Sequence, residues 1–295
     1  MRLTPARPKI APVFLQARPL SVNNQYPTKK VCSACVVAIG LLLGLGPALA
    51  VAEMDGADLA QQVYDRPDGD DLVTQGTMVL TGDRRRERTR NLYEFRLDGD
   101  DDESWHLIRF TSPANVANTG MLTYNRADGS SEQRLYLPAA DRVRRISSDN
   151  QAGSFVQSDL YYEDLETRKP DQDEHRLLGE DEYHGTPVKL LESIPAEGED
   201  SAYSRRLRWV DPETLLDLRV DFYRGGDEPE KRLEVQAIER IQGYWTVMRS
   251  TMTNLQEGTQ TVIEIEKAIY DQGLPTDLFT SRALSNPDRD ARFRP

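Results

Sequence analysis

Beyond residue 52 the chain has no cysteine, since Cys32 and Cys35 are its only two. Disulfide stapling, thiol catalysis and a thiolate metal site are therefore excluded for that part, which must be held by an ordinary core. Histidine is scarce too: His106, His175 and His184 are scattered, without metal-ligand spacing. The acidic stretch 98–103 lacks the ordered ligand spacing of a calcium loop. No G-x-S-x-G is present, and no Ser/His/Asp set stands at credible spacing, so no catalytic residue, metal or cofactor is assigned. Acidic residues are missing from residues 1–52, and no internal repeat or Pro/Ser-rich linker interrupts the remainder.

The acid-free segment has an order of its own. Lys29 and Lys30 precede an apolar run over residues 31–45, and Ala48-Leu49-Ala50 and Ala50-Val51-Ala52 each offer a small-x-small cleavage site. A basic start, a short apolar run and a small-residue end predict a cleaved secretory signal peptide within residues 1–52. The run is short for a membrane span, which needs about 20 apolar residues, so an uncleaved anchor is the lesser alternative. The polar lead before Thr28 is long for a leader, as a start assigned upstream of the true one would produce. Both cysteines sit at the beginning of the apolar run rather than after it, so neither reads as a lipid-acceptor cysteine. Without residues 1–52 the chain keeps 31 basic against 49 acidic groups, a net charge of −18. Such a chain repels nucleic acid and anionic membrane surfaces at long range.

From residue 53 onward one domain is expected to about residue 285, with residues 286–295 as a disordered tail. Residues 54–64 read as a short amphipathic helix, with Leu59 and Val63 four apart and Arg66-Pro67 ending it. After Asp68 the pattern changes to strands separated by turn clusters. In residues 89–97, Tyr93, Phe95 and Leu97 share one face while Glu94 and Arg96 take the other. In residues 216–223, Leu218, Val220 and Phe222 alternate with Arg219 and Asp221. Residues 166–181 are so charged that they read as a solvated loop or strand edge. The spacing predicts about ten antiparallel strands, each apolar on one face, in a curved sheet wetted on the other. That apolar face is either a packed core or the wall of a cavity.

The organising stretch is residues 133–165. Leu135 and Leu137 share a strand face that Pro138 ends, a second short strand runs through Val143 and Ile146, and turn residues follow to Gly153. Ser158-Asp159 is expected to cap a helical turn carrying Leu160, Tyr161 and Leu165. Arg144 and Arg145 can pair with Asp159 and Asp164 to lock this turn, or hold a phosphate headgroup. The five arginines 84, 85, 86, 88 and 90 are either a solvated face neutralised by carboxylates or a patch for headgroups or an acidic partner.

The run LYLPAADRVRRIS…GSFVQSDLYYEDL resembles the signature of the outer-membrane lipoprotein-sorting protein-like family, relatives of the LolA and LolB carriers. Phe110-Thr-Ser-Pro113, Gly120-Met-Leu-Thr-Tyr124, Trp209-Val-Asp-Pro212 and the run from Gly273 to Phe279 fit the same pattern. One departure is Gln157, where the pattern usually has glycine. The resemblance implies a mostly β fold: an incomplete, half-open antiparallel β-barrel of ten or eleven strands whose concave apolar face is covered by short helices. It implies a periplasmic, non-enzymatic carrier for lipids, lipoproteins or other amphiphiles in a Gram-negative type envelope. Phe95, Phe110, Leu137, Phe155, Trp209 and Phe222 are its cavity candidates. Acyl chains, and an inner-membrane exporter, are the partners it suggests for what is expected to be a monomer. The alternative is a structural or adaptor subunit of an export complex, with a filled core.

Overall fold

A computed structural model describes residues 55–82 and 86–295. The leader, both cysteines, Arg84 and Arg85 lie outside the described residues. Helix α1 (Gly56–Tyr64) is capped by Asp55, whose side chain accepts the Asp58 N–H at 2.8 Å. Thirteen strands follow: β1 (Asp71–Thr81), β2 (Glu87–Asp98), β3 (Ser104–Ser112), β4 (Gly120–Asn125), β5 (Ser131–Leu137), β6 (Arg142–Ile146), β7 (Asp173–Tyr183), β8 (Thr186–Pro195), β9 (Arg205–Val210), β10 (Asp217–Tyr223), β11 (Lys231–Ile241), β12 (Tyr244–Asn254) and β13 (Thr259–Tyr270). All belong to one sheet in the order β6-β5-β4-β3-β2-β1-β13-β12-β11-β10-β9-β8-β7. Every pairing is antiparallel, and β13 closes back onto β1 in the middle. The sheet does not close into a barrel, and β6 and β7 are its two free edges.

The fold class is the one expected, with thirteen strands instead of ten or eleven. Of the two readings left open for residues 166–181, loop or strand edge, β7 takes the second from Asp173 onward. It is an edge strand packed on one face only, which is why its sequence is so charged. Cross-strand pairing defines the faces. Leu80, Thr261, Met252, Leu233, Val220, Arg208 and Leu191 sit opposite one another in a row from β1 to β8. This face, called inner below, carries α1, where Leu59 and Ala60 pack on Leu191 and Val210. Gly56 lets α1 touch β7, because a Cβ there would stand 2.6 Å from the Arg176 nitrogen.

In the β1–β6 half, both faces are apolar. Phe110, Met121, Leu135 and Met78 are buried on the inner face, while Val73, Phe95, Leu107 and Leu122 are buried on the outer one. The outer cover is the C-terminal segment, which lays Leu274, Leu278, Phe279 and Leu284 onto Phe95 and its neighbours. The single wetted face expected from the alternation does not describe this half. Nor is the tail disordered. Helices α2 (Ser281–Leu284) and α3 (Asp288–Ala291) pack down, and Asp290 meets Arg109 Nε at 2.8 Å with both side chains essentially buried. Asp71 holds the start of the tail by accepting the N–H groups of Gln272, Gly273 and Leu274 at 2.7–2.9 Å.

Asp290→Ala leaves the Arg109 guanidinium buried and unpaired, which costs about 3–5 kcal/mol. Urea denaturation should show that loss; a change below about 1 kcal/mol would mean the tail is not a structural cover.

Candidate functional site

Because β6 and β7 are opposite edges, the connection between them, residues 147–172, must run across the inner face. It contains little regular structure, only 3-10 turns at Ser148–Asn150, Phe155–Gln157, Glu163–Leu165 and Pro170–Gln172. An irregular strap on an apolar face has to satisfy its own backbone polar groups. It borrows them from the sheet on both sides. Arg90 donates to the Val156 carbonyl at 2.6 Å, and Gln133 donates to the Tyr162 carbonyl at 2.7 Å. Lys231 Nζ donates to the Asp159 carbonyl at 2.6 Å, and the Asp159 N–H donates to Thr261 Oγ1 at 2.9 Å. Phe155, fully buried, plugs the β1–β6 half against Phe110 at a ring distance of 5.8 Å.

At the corner of the strap, Val156 and Gln157 take positive φ values of 46° and 64°. This is the left-handed region that glycine occupies at no steric cost, which explains why glycine suits the position of Gln157. Gln157 is held there by Arg88, whose guanidinium donates to its side-chain oxygen at 2.9 Å. Arg88 and Arg90 thus serve the strap, instead of being neutralised by carboxylates.

The expected helical turn at 158–165 does not form. Ser158 is extended, and only Glu163–Leu165 winds into a 3-10 turn. Arg144 and Arg145 are exposed on the β6 edge, and neither pairs with Asp159 or Asp164. Asp159 accepts from the hydroxyls of Thr259 and Thr261 in β13. Asp164 accepts the Tyr161 N–H at 2.7 Å and the Tyr203 hydroxyl at 2.8 Å. The pairing fails because these acids lie on the β7–β13 side of the strap, where threonines, a tyrosine and Lys231 meet them first.

Between the strap, α1 and strands β7–β12 lies a cavity of about 350 Å³. Its floor is apolar: Val220, Phe222, Leu233 and Met252 from the sheet, Leu160 from the strap, Ala60 and Val63 from α1. Its wall is charged, and the charges are paired. Arg168 Nε meets Asp173 at 2.9 Å, Arg208 grips Asp217 with two nitrogens at 2.9–3.0 Å, and Arg206 bonds Glu163. His175 lies between Ser193 Oγ and the Pro170 carbonyl, each at 2.9 Å, and burial lowers its pKa. Among the described residues no group of His, Cys, Asp or Glu could hold a metal ion.

Of the cavity candidates from the sequence, Phe222 lines this space. Phe110, Leu137 and Phe155 share the inner face but pack together in the plugged half. Phe95 lies on the outer face beneath the tail. Trp209 is also on the outer face, under the Arg219 guanidinium at 4.1 Å. Sequence reasoning missed the wall residues Glu163, Arg206 and Arg208. The charged positions that alternate with Leu207 and Trp209 were the available signal, since inner positions of β9 are arginines.

Lys231 is fully buried, 2.8 Å from the centre of the Tyr161 ring, and desolvation lowers its pKa to about 8. The Tyr161 hydroxyl, donating to Glu230 at 2.6 Å, is pushed up to about 12, chiefly by burial. For Lys231 the unfolded chain binds more protons between about pH 8 and 10.5, so this group makes stability rise with pH across that window. Urea unfolding in steps of pH should show wild type gaining on Lys231→Met as pH rises from about 8 to 10. A pH-independent difference would mean that Lys231 is as well solvated as a surface lysine.

A family model described as an uncharacterized protein matches residues 102–286. A DUF1329 family protein from Desulfovibrio piger is 32% identical with a TM-score of 0.74, covering 78% of this chain and 97% of that one. A putative outer membrane lipoprotein-sorting protein domain from Vibrio parahaemolyticus is 29% identical with a TM-score of 0.74, covering 78% and 98%. The LolA superfamily protein NE2245 from Nitrosomonas europaea, 15% identical with a TM-score of 0.61 over 78% and 100%, shares the fold. No curated protein matches the chain. Identity of 32% over 78% of the chain, together with the family match over residues 102–286, places the chain in the DUF1329 family of outer-membrane lipoprotein-sorting-like proteins, with the LolA-like fold.

Proposed function

We propose that the chain is a periplasmic, non-enzymatic carrier that shelters the hydrocarbon of a lipid, lipoprotein or other amphiphile while it moves through the envelope. The observation that carries this reading is the cavity on the inner face, with an apolar floor and a charged wall. Its volume is within the range of small-molecule sites, about 300–1,000 Å³. Each methylene buried contributes about 0.8 kcal/mol, so a chain segment of about eight gains roughly 6 kcal/mol. That is enough for capture and weak enough for release to a partner, which an inner-membrane exporter on one side would require. The lipoprotein-sorting relative supports the class of cargo by its name. The reading needs no cofactor, and three of the wall's arginines are paired with its acids. The adaptor alternative draws on the β1–β6 half, whose inner face Phe155 already fills.

Lipid mass spectrometry of the protein purified from its own envelope should find acyl lipids in stoichiometric amount; a clean apoprotein would favour the adaptor. Phe222→Glu puts a charge on the cavity floor and should weaken binding of an acyl probe about tenfold or more. Trp209→Phe, on the outer face, should leave it unchanged. Equal effects of the two would remove the cavity from the argument.

A further inference from the structure

The cavity's charges have a direction, and they bear on the cargo's polar end. On the carrier reading above, the hydrocarbon lies on Val220, Phe222, Leu233 and Met252, and the head meets the wall built by residues 163–175 with β9. Five acids (Glu163, Asp164, Glu166, Asp173, Asp217) stand in the lining against four bases (Arg168, Lys169, Arg206, Arg208), so no positive charge is in surplus there. Arg168 is bound to Asp173, Arg206 to Glu163 and Arg208 to Asp217, while Lys169 Nζ donates to the Ala127 carbonyl at 2.7 Å. Two carboxylates of the wall, Asp164 and Glu166, have no salt-bridge partner among the described residues. Glu166 accepts from the Ser131 side chain and, at 3.3 Å to each oxygen, from the Gln151 amide, and burial raises the pKa of both acids.

An ionised head seated here loses its water and faces these two carboxylates, and the donor left free, Arg206 Nη1, belongs to a guanidinium already neutralised by Glu163 and 3.7 Å from Asp173. A carbonyl oxygen meets no such cost. The Thr167 hydroxyl, which accepts from Asn125 at 3.3 Å, keeps its own O–H to donate to such an oxygen. We infer that the cavity selects acyl compounds whose head carries no negative charge, esters or amides, and turns away the free fatty acid. Glu166 is the specificity-determining residue of this filter.

The test is displacement of the neutral fluorescent probe N-phenyl-1-naphthylamine from the full exported chain by lauric acid and by methyl laurate. At about pH 8, where the acid is ionised, the ester should bind about tenfold more tightly or better. The acid should gain affinity as the pH falls toward about 5, while the ester's affinity stays level. Glu166→Gln keeps the side-chain shape and should narrow the gap to about threefold or less by improving acid binding. Acid binding as tightly as ester at the higher pH overturns the inference and leaves the carrier intact. A gap that Glu166→Gln does not change overturns the role of Glu166. If the probe binds and neither laurate compound displaces it, or no probe binds at all, the carrier reading itself falls.

Discussion

The molecule depends on a sheet that stops short of closing. Thirteen antiparallel strands leave two edges, β6 and β7, and the chain passes from one to the other only by crossing its own inner face. Apolar strand faces supply the drive to cover that surface. The strap that covers it is irregular, so it brings carbonyl and amide groups into a dry place, where each must find a partner. The polar residues buried under the strap follow from that obligation. Lys231, Gln133 and Arg90 serve strap carbonyls, and Thr259 and Thr261 serve Asp159. Read without the strap, a fully buried lysine on β11 has no explanation.

Much of this architecture is present in the pattern of residues, and the misreadings have identifiable causes. Period-two alternation tells which side chains share a face, and Tyr93, Phe95 and Leu97 do share one. Alternation carries no sign, however, so it does not say whether that face is inner or outer. Phe95 and Trp209 were placed in the cavity for this reason and lie outside it. A subtler cue was available in adjacent apolar residues of opposite parity: Leu107 beside Ile108, Met121 beside Leu122, Leu135 beside Tyr136. A strand with one wet face does not need such pairs, and a strand covered on both sides does.

Other features leave no local trace. The four residues of α3, Asp288–Ala291, have neither length nor an apolar stripe, so they read as tail. They are ordered by Asp290 meeting Arg109 across most of the chain, a contact no short window reveals. Strand β7 is ambiguous for another reason: its acids suit a loop as well as an open edge that should not recruit a neighbour, and it is the edge. The strap's ion pairs were sought within the strap and its leading strand. The sheet instead places β11, β13 and the loop before β9 closer to those acids than Arg144 and Arg145 are.

The two halves of the sheet therefore do different work. In β1–β6 aliphatic and aromatic side chains pack on both faces, with the tail outside and Phe155 inside, and the space left on the inner face is a smaller cavity of about 180 Å³ beside Glu94, Ile108 and Met121. In β7–β13 the inner row passes from Met252 and Leu233 through Val220 to Arg208, and next to it from Phe222 to Arg206. Apolar and charged positions adjoin along that row, so the residues cannot pack as a uniform core. Arginine heads paired with acids stand off from the aliphatic floor, and the space between them is the cavity. The site lies beneath this half because its inner positions change character at β9 and β10, where an amphiphile's own two ends would be matched.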